Sequence, residues 1–173
     1  YYKNNDKFNA IKSETDNLLF FNREKFIQFP SIINYNDNLL IMSFINNDDD
    51  QPNHTNGDLL NSIISLHSNK SEGYGFSFDT QIGGLRQINS SSKNWLEFYR
   101  DKRLNYIFDL VNKNQPMDET INTKIDLLIK KIDNFIPNKP IASLLHGDLW
   151  EGNILFKNKK FVGCIDPGSF YGH

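Results

Sequence analysis

The chain has 173 residues, with 19 Lys and Arg against 21 Asp and Glu, a formal charge of −2. This length holds one domain, or one and part of another, and 38% hydrophobic residues including fourteen Phe suffice for a core. No basic stripe is present, which argues against nucleic acid and against an anionic membrane as partners, and no apolar run approaches the roughly 20 residues of a membrane span.

The single cysteine, Cys164, excludes an internal disulfide and points to a reducing, cytoplasmic setting. Within an apolar strand it reads as a small buried hydrophobe. Tyr1-Tyr2-Lys3 reads as the end of a strand. From Phe8, apolar residues recurring at three and four (Phe8, Ile11, Leu18) predict a helix. Glu14 falls on or beside its apolar face, where a carboxylate is costly unless paired, and the candidate partner is Lys3. The alternative is a solvated Glu at the edge of the stripe. Residues 29–35 suggest a turn and a short strand, Asn36-Asp37-Asn38 a tight turn, and Leu39 to Ile45 a buried strand, so this region reads as a hairpin under the helix. Residues 46–57 carry no large apolar side chain and read as a solvated linker. It divides a lobe over 1–45 from a second over 58–173.

Beyond it, Asp58 is a candidate cap for a helix ending near His67. Residues 73–84 read as an irregular loop rich in Gly and aromatics. A long helix is expected from Lys93, broken at Asn114-Gln115-Pro116. The clearest amphipathic helix runs from Ile121 to Ile136, stopped by Pro137. Two short strands then lead into and out of a polar loop, with a hairpin turn at residues 157–160. The fold class is α+β, a small mixed lobe followed by a mainly helical one, and ligands commonly bind between such halves.

The polar loop carries the chemistry. His146-Gly147-Asp148 follows an apolar run, Asn153 comes five positions after Asp148, and Phe161 to Cys164 leads to Asp166-Pro167-Gly168. Phosphoryl transfer needs a group to orient a hydroxyl, oxygen ligands for Mg²⁺ and a grip on the triphosphate. Asp148 suits the first task, and Asn153 and Asp166 offer oxygens to a hard cation. An Asp with Asn five positions on matches the catalytic-loop spacing of kinases.

The run His146-Gly147-Asp148-Leu149-Trp150-x-Gly152-Asn153, followed by Ile165-Asp166-Pro167 and Tyr171-Gly172-His173, resembles the fructosamine kinase (ketosamine-3-kinase) family. That family is akin to aminoglycoside phosphotransferases and choline kinases. Tyr74-Gly75-Phe76, Asp79-Thr80-x-Ile82-Gly83, Gln87-x-Asn89, Trp95-x-x-Phe98 and Arg103-Leu104 are similar to the family's middle region, and Lys3 and Lys12-x-Glu14 to its lysine strand and glutamate helix. The resemblance implies a two-lobe protein-kinase-like fold with ATP and Mg²⁺ as cofactors. Lys3 would contact the ATP phosphates with Glu14 fixing it, and the backbone of Ser43, Phe44 and Ile45 would receive adenine. Asp148 would be the base, Asn153 and Asp166 would hold magnesium, and His146 would brace the loop. Trp150, where protein kinases carry a lysine, would face a sugar-derived substrate, the alternative being a packing Trp.

The implied activity is phosphorylation of the sugar 3-hydroxyl of ketosamines, on glycated proteins or on free small molecules. The family's glycine-rich loop would precede Lys3 and its further helices would follow His173, so the sequence reads as an excerpt. The alternatives are a kinase of another small alcohol (aminoglycoside, choline or homoserine) and a non-catalytic nucleotide-binding module.

Overall fold

A computed structural model describes residues 8–48, 52 and 56–173. Tyr1 to Lys3 and the expected contact of Lys3 with Glu14 lie outside the described residues. The first helix, α1 (Ala10–Glu24), is capped by Asn9, whose side chain accepts from the Lys12 N–H, and it ends at Lys25 in the left-handed conformation. Its inner face buries Leu18 and Phe21. β1 (Ile32–Asn36) and β2 (Leu39–Met42) pair antiparallel around Asp37-Asn38, as the turn signal predicts. The buried strand expected through Ile45 is corrected here. β2 stops at Met42, and Leu39 and Ile41 are more than two-fifths exposed among the described residues.

The second helix, α2 (Gly57–His67), is capped by Asn56 rather than Asp58, because the Asn56 side chain accepts from Leu59 N–H. Asp58 instead lies in the first turn, where its charge suits the helix dipole. The ends of the expected linker are pinned: Asp48 N–H donates to Phe156 O, the Asp48 carboxylate accepts from Asn158 N–H, and Asn56 Nδ2 donates to Lys159 O. The expected irregular loop contains order. After β3 (Lys70–Ser71), β4 (Thr80–Ile82) and β5 (Leu85–Gln87) form a hairpin turned by Gly83 and Gly84, at φ 56° and 84°.

The long helix is borne out in three joined pieces: α3 (Trp95–Tyr99), a π-helical segment (Arg100–Asn105) and α4 (Tyr106–Asn114). The next helix, α5 (Glu119–Lys130), ends earlier than its pattern predicts, and the tail winds into a 3₁₀ turn at Ile132–Asn134. β6 (Ala142–Leu145) is the centre of a three-stranded sheet between β3 and β9 (Phe170–Gly172), while β7 (Ile154–Lys157) and β8 (Lys160–Cys164) form the expected hairpin. Asn158 and Lys159 turn it with positive φ.

Two apolar clusters fix these parts. Leu18, Phe21, Ile27, Phe29, Leu66, Leu144 and Cys164 join α1, α2, β6 and β8. Tyr74, Trp95, Phe98, Ala142 and Phe170 join α3 to β6 and β9. Both clusters include β6, so the loop leaving its C-terminal end is held from two sides.

Candidate active site

β6 delivers the chain to His146, which is 2% exposed and stacks on Phe29 with ring centroids 5.5 Å apart. Gly147 then turns at φ 88°, and a Cβ there would overlap the backbone of Gly168, so the turn requires glycine. The Asp148 N–H donates to His146 Nδ1 at 3.3 Å, and a 3₁₀ turn at Glu151–Asn153 folds the loop back. Asn153 Nδ2 thereby donates to Asp148 O at 2.8 Å and to Asp148 Oδ2 at 3.2 Å. The five-residue step thus closes a ring, and with Nδ2 committed to Asp148 the amide Oδ1 is the atom left for a cation. Trp150 is 57% exposed, with its indole over Gly152, where a Cβ would meet the ring.

The β7–β8 hairpin returns the chain to the same place. Ile165 N–H donates to Asn153 O at 3.1 Å, and Gly168 N–H to His146 O at 2.9 Å. Between them Asp166 adopts φ 53°, a left-handed conformation that Asp tolerates better than most residues. Partial burial, and secondly the charge of Asp148, push the Asp166 carboxyl up from its ordinary pKa. Two like charges close together are the condition that a bound cation relieves. Burial lowers His146 to about 4, against a smaller opposing effect of the Ile165 carbonyl. The imidazole is therefore neutral, with its proton on Nε2, because Nδ1 accepts from Asp148.

Glu14 faces this region from α1. Burial raises its pKa to about 7; Gln81 Nε2, donating to Oε2 at 3.2 Å, opposes the rise and the charge of Asp166 adds to it. Ser43, Phe44 and Ile45 follow β2. Ser43 N–H donates to Ser31 O, Asn47 Nδ2 donates to Ile45 O, and the Ile45 side chain closes on Gly163 of β8. Phe44 is 81% exposed. The structure thus brings Asp148, Asn153, Asp166 and Glu14 into one region, and ties Ser43 to Ile45 to it through β8.

Among the described residues no group of three or more His, Cys, Asp or Glu is arranged to hold a metal ion. The donor set nevertheless fits magnesium, which takes one or two carboxylates and completes its shell from phosphates and water. Sequence reasoning assigned no role to Gln81, Gln87 or Arg103, although the motif Gln87-x-Asn89 was visible. Isolated polar residues give no periodic signal of burial. Among the described residues no helix is long and apolar enough to cross a membrane.

Comparisons with known proteins agree on one family. A protein-ribulosamine 3-kinase of Arabidopsis thaliana is 36% identical over 137 residues, covering 78% of this chain and 41% of that protein. A ketosamine-3-kinase of Mus musculus is 38% identical over 100 residues, covering 58% of this chain and 32% of that protein. The matched stretches cover less than half of either relative, and the chain spans about half their length. Among solved structures, a protein from Thermobifida fusca proposed to be a fructosamine-3-kinase superposes with a TM-score of 0.80 at 20% identity, over 99% of this chain and 59% of that one. Aminoglycoside phosphotransferase APH(4)-Ia, solved with AMP-PNP and hygromycin B, superposes with a TM-score of 0.60 at 15% identity, over 95% of this chain and 59% of that one. These likenesses show the α+β, kinase-like fold. Residues 2–173 match the family model for fructosamine kinase, and the chain belongs to the fructosamine kinase family.

Proposed function

We propose that the chain carries the catalytic loop of an ATP- and Mg²⁺-dependent kinase that phosphorylates the sugar 3-hydroxyl of ketosamines, on proteins or on free small molecules. The observation that carries this reading is the ring closed by the Asn153 side chain on Asp148, with Asp166 brought beside it by the Ile165 N–H donating to the Asn153 backbone carbonyl. The names of the relatives support the acceptor class. Residues 1–45 belong to the nucleotide lobe, 46–57 to the connection and 58–173 to the catalytic lobe. The buried, unpaired Cys164 suits a reducing compartment such as the cytoplasm.

In this reading the Asp148 carboxylate accepts the hydrogen bond of the acceptor hydroxyl and takes its proton as the oxygen bonds to the γ-phosphorus of ATP and the bond from that phosphorus to the bridging oxygen breaks, releasing ADP. The donation from Asn153 Nδ2 fixes the rotamer of Asp148 and leaves its other oxygen for the hydroxyl. Asn153 Oδ1 and the Asp166 carboxylate would hold magnesium, which would supply positive charge to neutralise the phosphate oxygens. Neutral His146 holds the backbone of Asp148 and exchanges no proton with the acceptor. Lys3 contacts the phosphates and pairs with Glu14, while the backbone of Ser43, Phe44 and Ile45 borders the adenine. The half-exposed indole of Trp150 offers a flat face to the sugar.

The test is Asp148→Asn in the full-length protein. Loss of a general base costs about 10²–10⁴ in rate. Phosphate transfer from ATP to ribulosyl-lysine is expected to fall by at least about a hundredfold, with nucleotide binding retained in a calorimetric titration. Unchanged turnover overturns the assignment. A panel of ribulosyl-lysine, an aminoglycoside, choline and homoserine tests the acceptor class, and preference for any of the last three overturns it.

A further inference from the structure

Away from the catalytic loop, the described residues include a set of buried polar side chains that the mechanism above does not use. Asn17 on α1, Thr80 on β4, Asn89 after β5, and Ser169 are each 0% exposed, and Gln87 on β5 is 6% exposed. Their hydrogen bonds converge on Gly168 and Ser169, just after Asp166. Gln87 Nε2 donates to Gly168 O at 3.1 Å. Ser169 N–H donates to Asn17 Oδ1 at 3.3 Å, and Ser169 Oγ to His146 O at 3.3 Å. Asn89 Nδ2 lies 3.5 Å from Ser169 O, at the outer limit of a hydrogen bond.

Behind this layer, Arg103 fixes which way Asn89 faces. Its guanidinium lies against the stacked rings of Phe98 and Phe170, 4.8 and 4.4 Å from their centroids. It donates to Ile88 O at 2.8 Å and to Asn89 Oδ1 at 2.7 Å. With Oδ1 taken, the Asn89 amide group must face Thr80 Oγ1, to which it donates at 2.8 Å. Thr80 Oγ1 also lies 3.4 Å from Gln87 Nε2. Arg103 belongs to the π-helical segment, a departure from α-helical winding often found at functional sites.

The geometry matters because Asp166 is in the left-handed region, followed by Pro167, whose φ is fixed by its ring. A carboxylate on such a backbone keeps its direction only if the next residues are held. They are held from α1, from β5 and from the loop after β6.

We propose that Gln87 and Asn17 are positioning residues for Asp166: they clamp Gly168 and Ser169 so that its carboxylate is already aimed at the Asp148–Asn153 ring before any metal arrives. Asn89 and Arg103 act one step further back by orienting Gln87. This rests on the reading of Asp166 as a magnesium ligand. Outer partners of metal ligands are worth about 10–100-fold in metal affinity.

The experiment measures Mn²⁺ binding to the full-length protein in complex with AMP-PNP, by water-proton relaxation. The variants are Gln87→Met and Asn17→Leu, near-isosteric changes that remove one bond each, so that either serves if the other fails to fold. Each is expected to weaken Mn²⁺ binding about tenfold or more, with AMP-PNP binding in EDTA unchanged. A core variant of comparable thermal stability, Ile129→Val, is expected to bind Mn²⁺ like the parent. A merely structural role for Gln87 and Asn17 would leave Mn²⁺ binding within twofold of the parent, and that result overturns the proposal. Asp166→Asn separates the two failures. If it does not weaken Mn²⁺ binding, the reading of Asp166 is wrong. If it does and the two clamp variants do not, the proposal alone is wrong.

Discussion

The ring of His146 stacks on Phe29 and takes the Asp148 N–H on Nδ1, so it is at once a piece of the core and the brace of the loop that carries Asp148. This double duty has a measurable pH signature. Burial holds its folded pKa near 4, below the ordinary value of 6.5. Between those two values the unfolded chain binds a proton that the folded chain refuses, so stability is lost as pH falls through that window and levels off below it. One proton over this interval is worth about 3 kcal/mol. The stability advantage of the parent over His146→Gln is therefore expected to shrink by about that much from pH 7 to pH 4, measured by urea denaturation. An advantage that stays constant over the same range refutes the assignment.

Among the elements, the β4–β5 hairpin matters most for the site, since Gln81 reaches Glu14 and Gln87 reaches Gly168. Its turn places Gly83 at φ 56°, with nothing within 4 Å of where a Cβ would be. Backbone conformation alone then decides what is tolerated. Gly83→Asn is expected to cost less than about 0.5 kcal/mol, because Asn populates the left-handed region. Gly83→Val is expected to cost about 1–2 kcal/mol. Equal losses for the two in thermal denaturation would show that space, not φ, limits the site.

This hairpin also marks where the sequence stops being legible. Thr80-Gln81-Ile82 and Leu85-Arg86-Gln87 are too short to show alternation, so Gly83-Gly84 read as loop rather than turn. By contrast, the helices at Ala10–Glu24 and Trp95–Asn114 follow from periodic apolar residues. The end of α5 was misjudged because its apolar spacing continues past Lys130 into a 3₁₀ turn. Asp148 with Asn153 could be read because their bond is local, spanning five positions, and Asp166 because it ends a recognisable strand. The contact of Gln87 with Gly168 spans 81 positions. Nothing local encodes it.

At the scale of the whole molecule, the two ends of the described chain meet, since Asn17 of α1 binds Ser169 and Glu14 feels the charge of Asp166. Glu14 titrates near 7 when burial, Gln81 and Asp166 are its surroundings, and a cation placed beside it would favour the ionised form. If Lys3 pairs with Glu14, its cation favours the ionised form, so Lys3→Met is expected to raise the pKa of this carboxyl relative to the parent, as read by carbon NMR of labelled glutamate. Identical titrations would exclude the pair.

The contact of Gly147 with Gly168 has a further consequence, for how such a protein varies over generations. The two loops touch backbone to backbone, without room for even a methyl group at position 147. A substitution there cannot be absorbed by a neighbour changing rotamer, because the obstacle is main chain. A side chain at position 147 would therefore require both loops to move together. Trp150, in the same loop but half in solvent, is under no such steric veto. A lineage built on this frame is free to alter what that exposed rim meets while the register of Asp148 against Asp166 stays where it is.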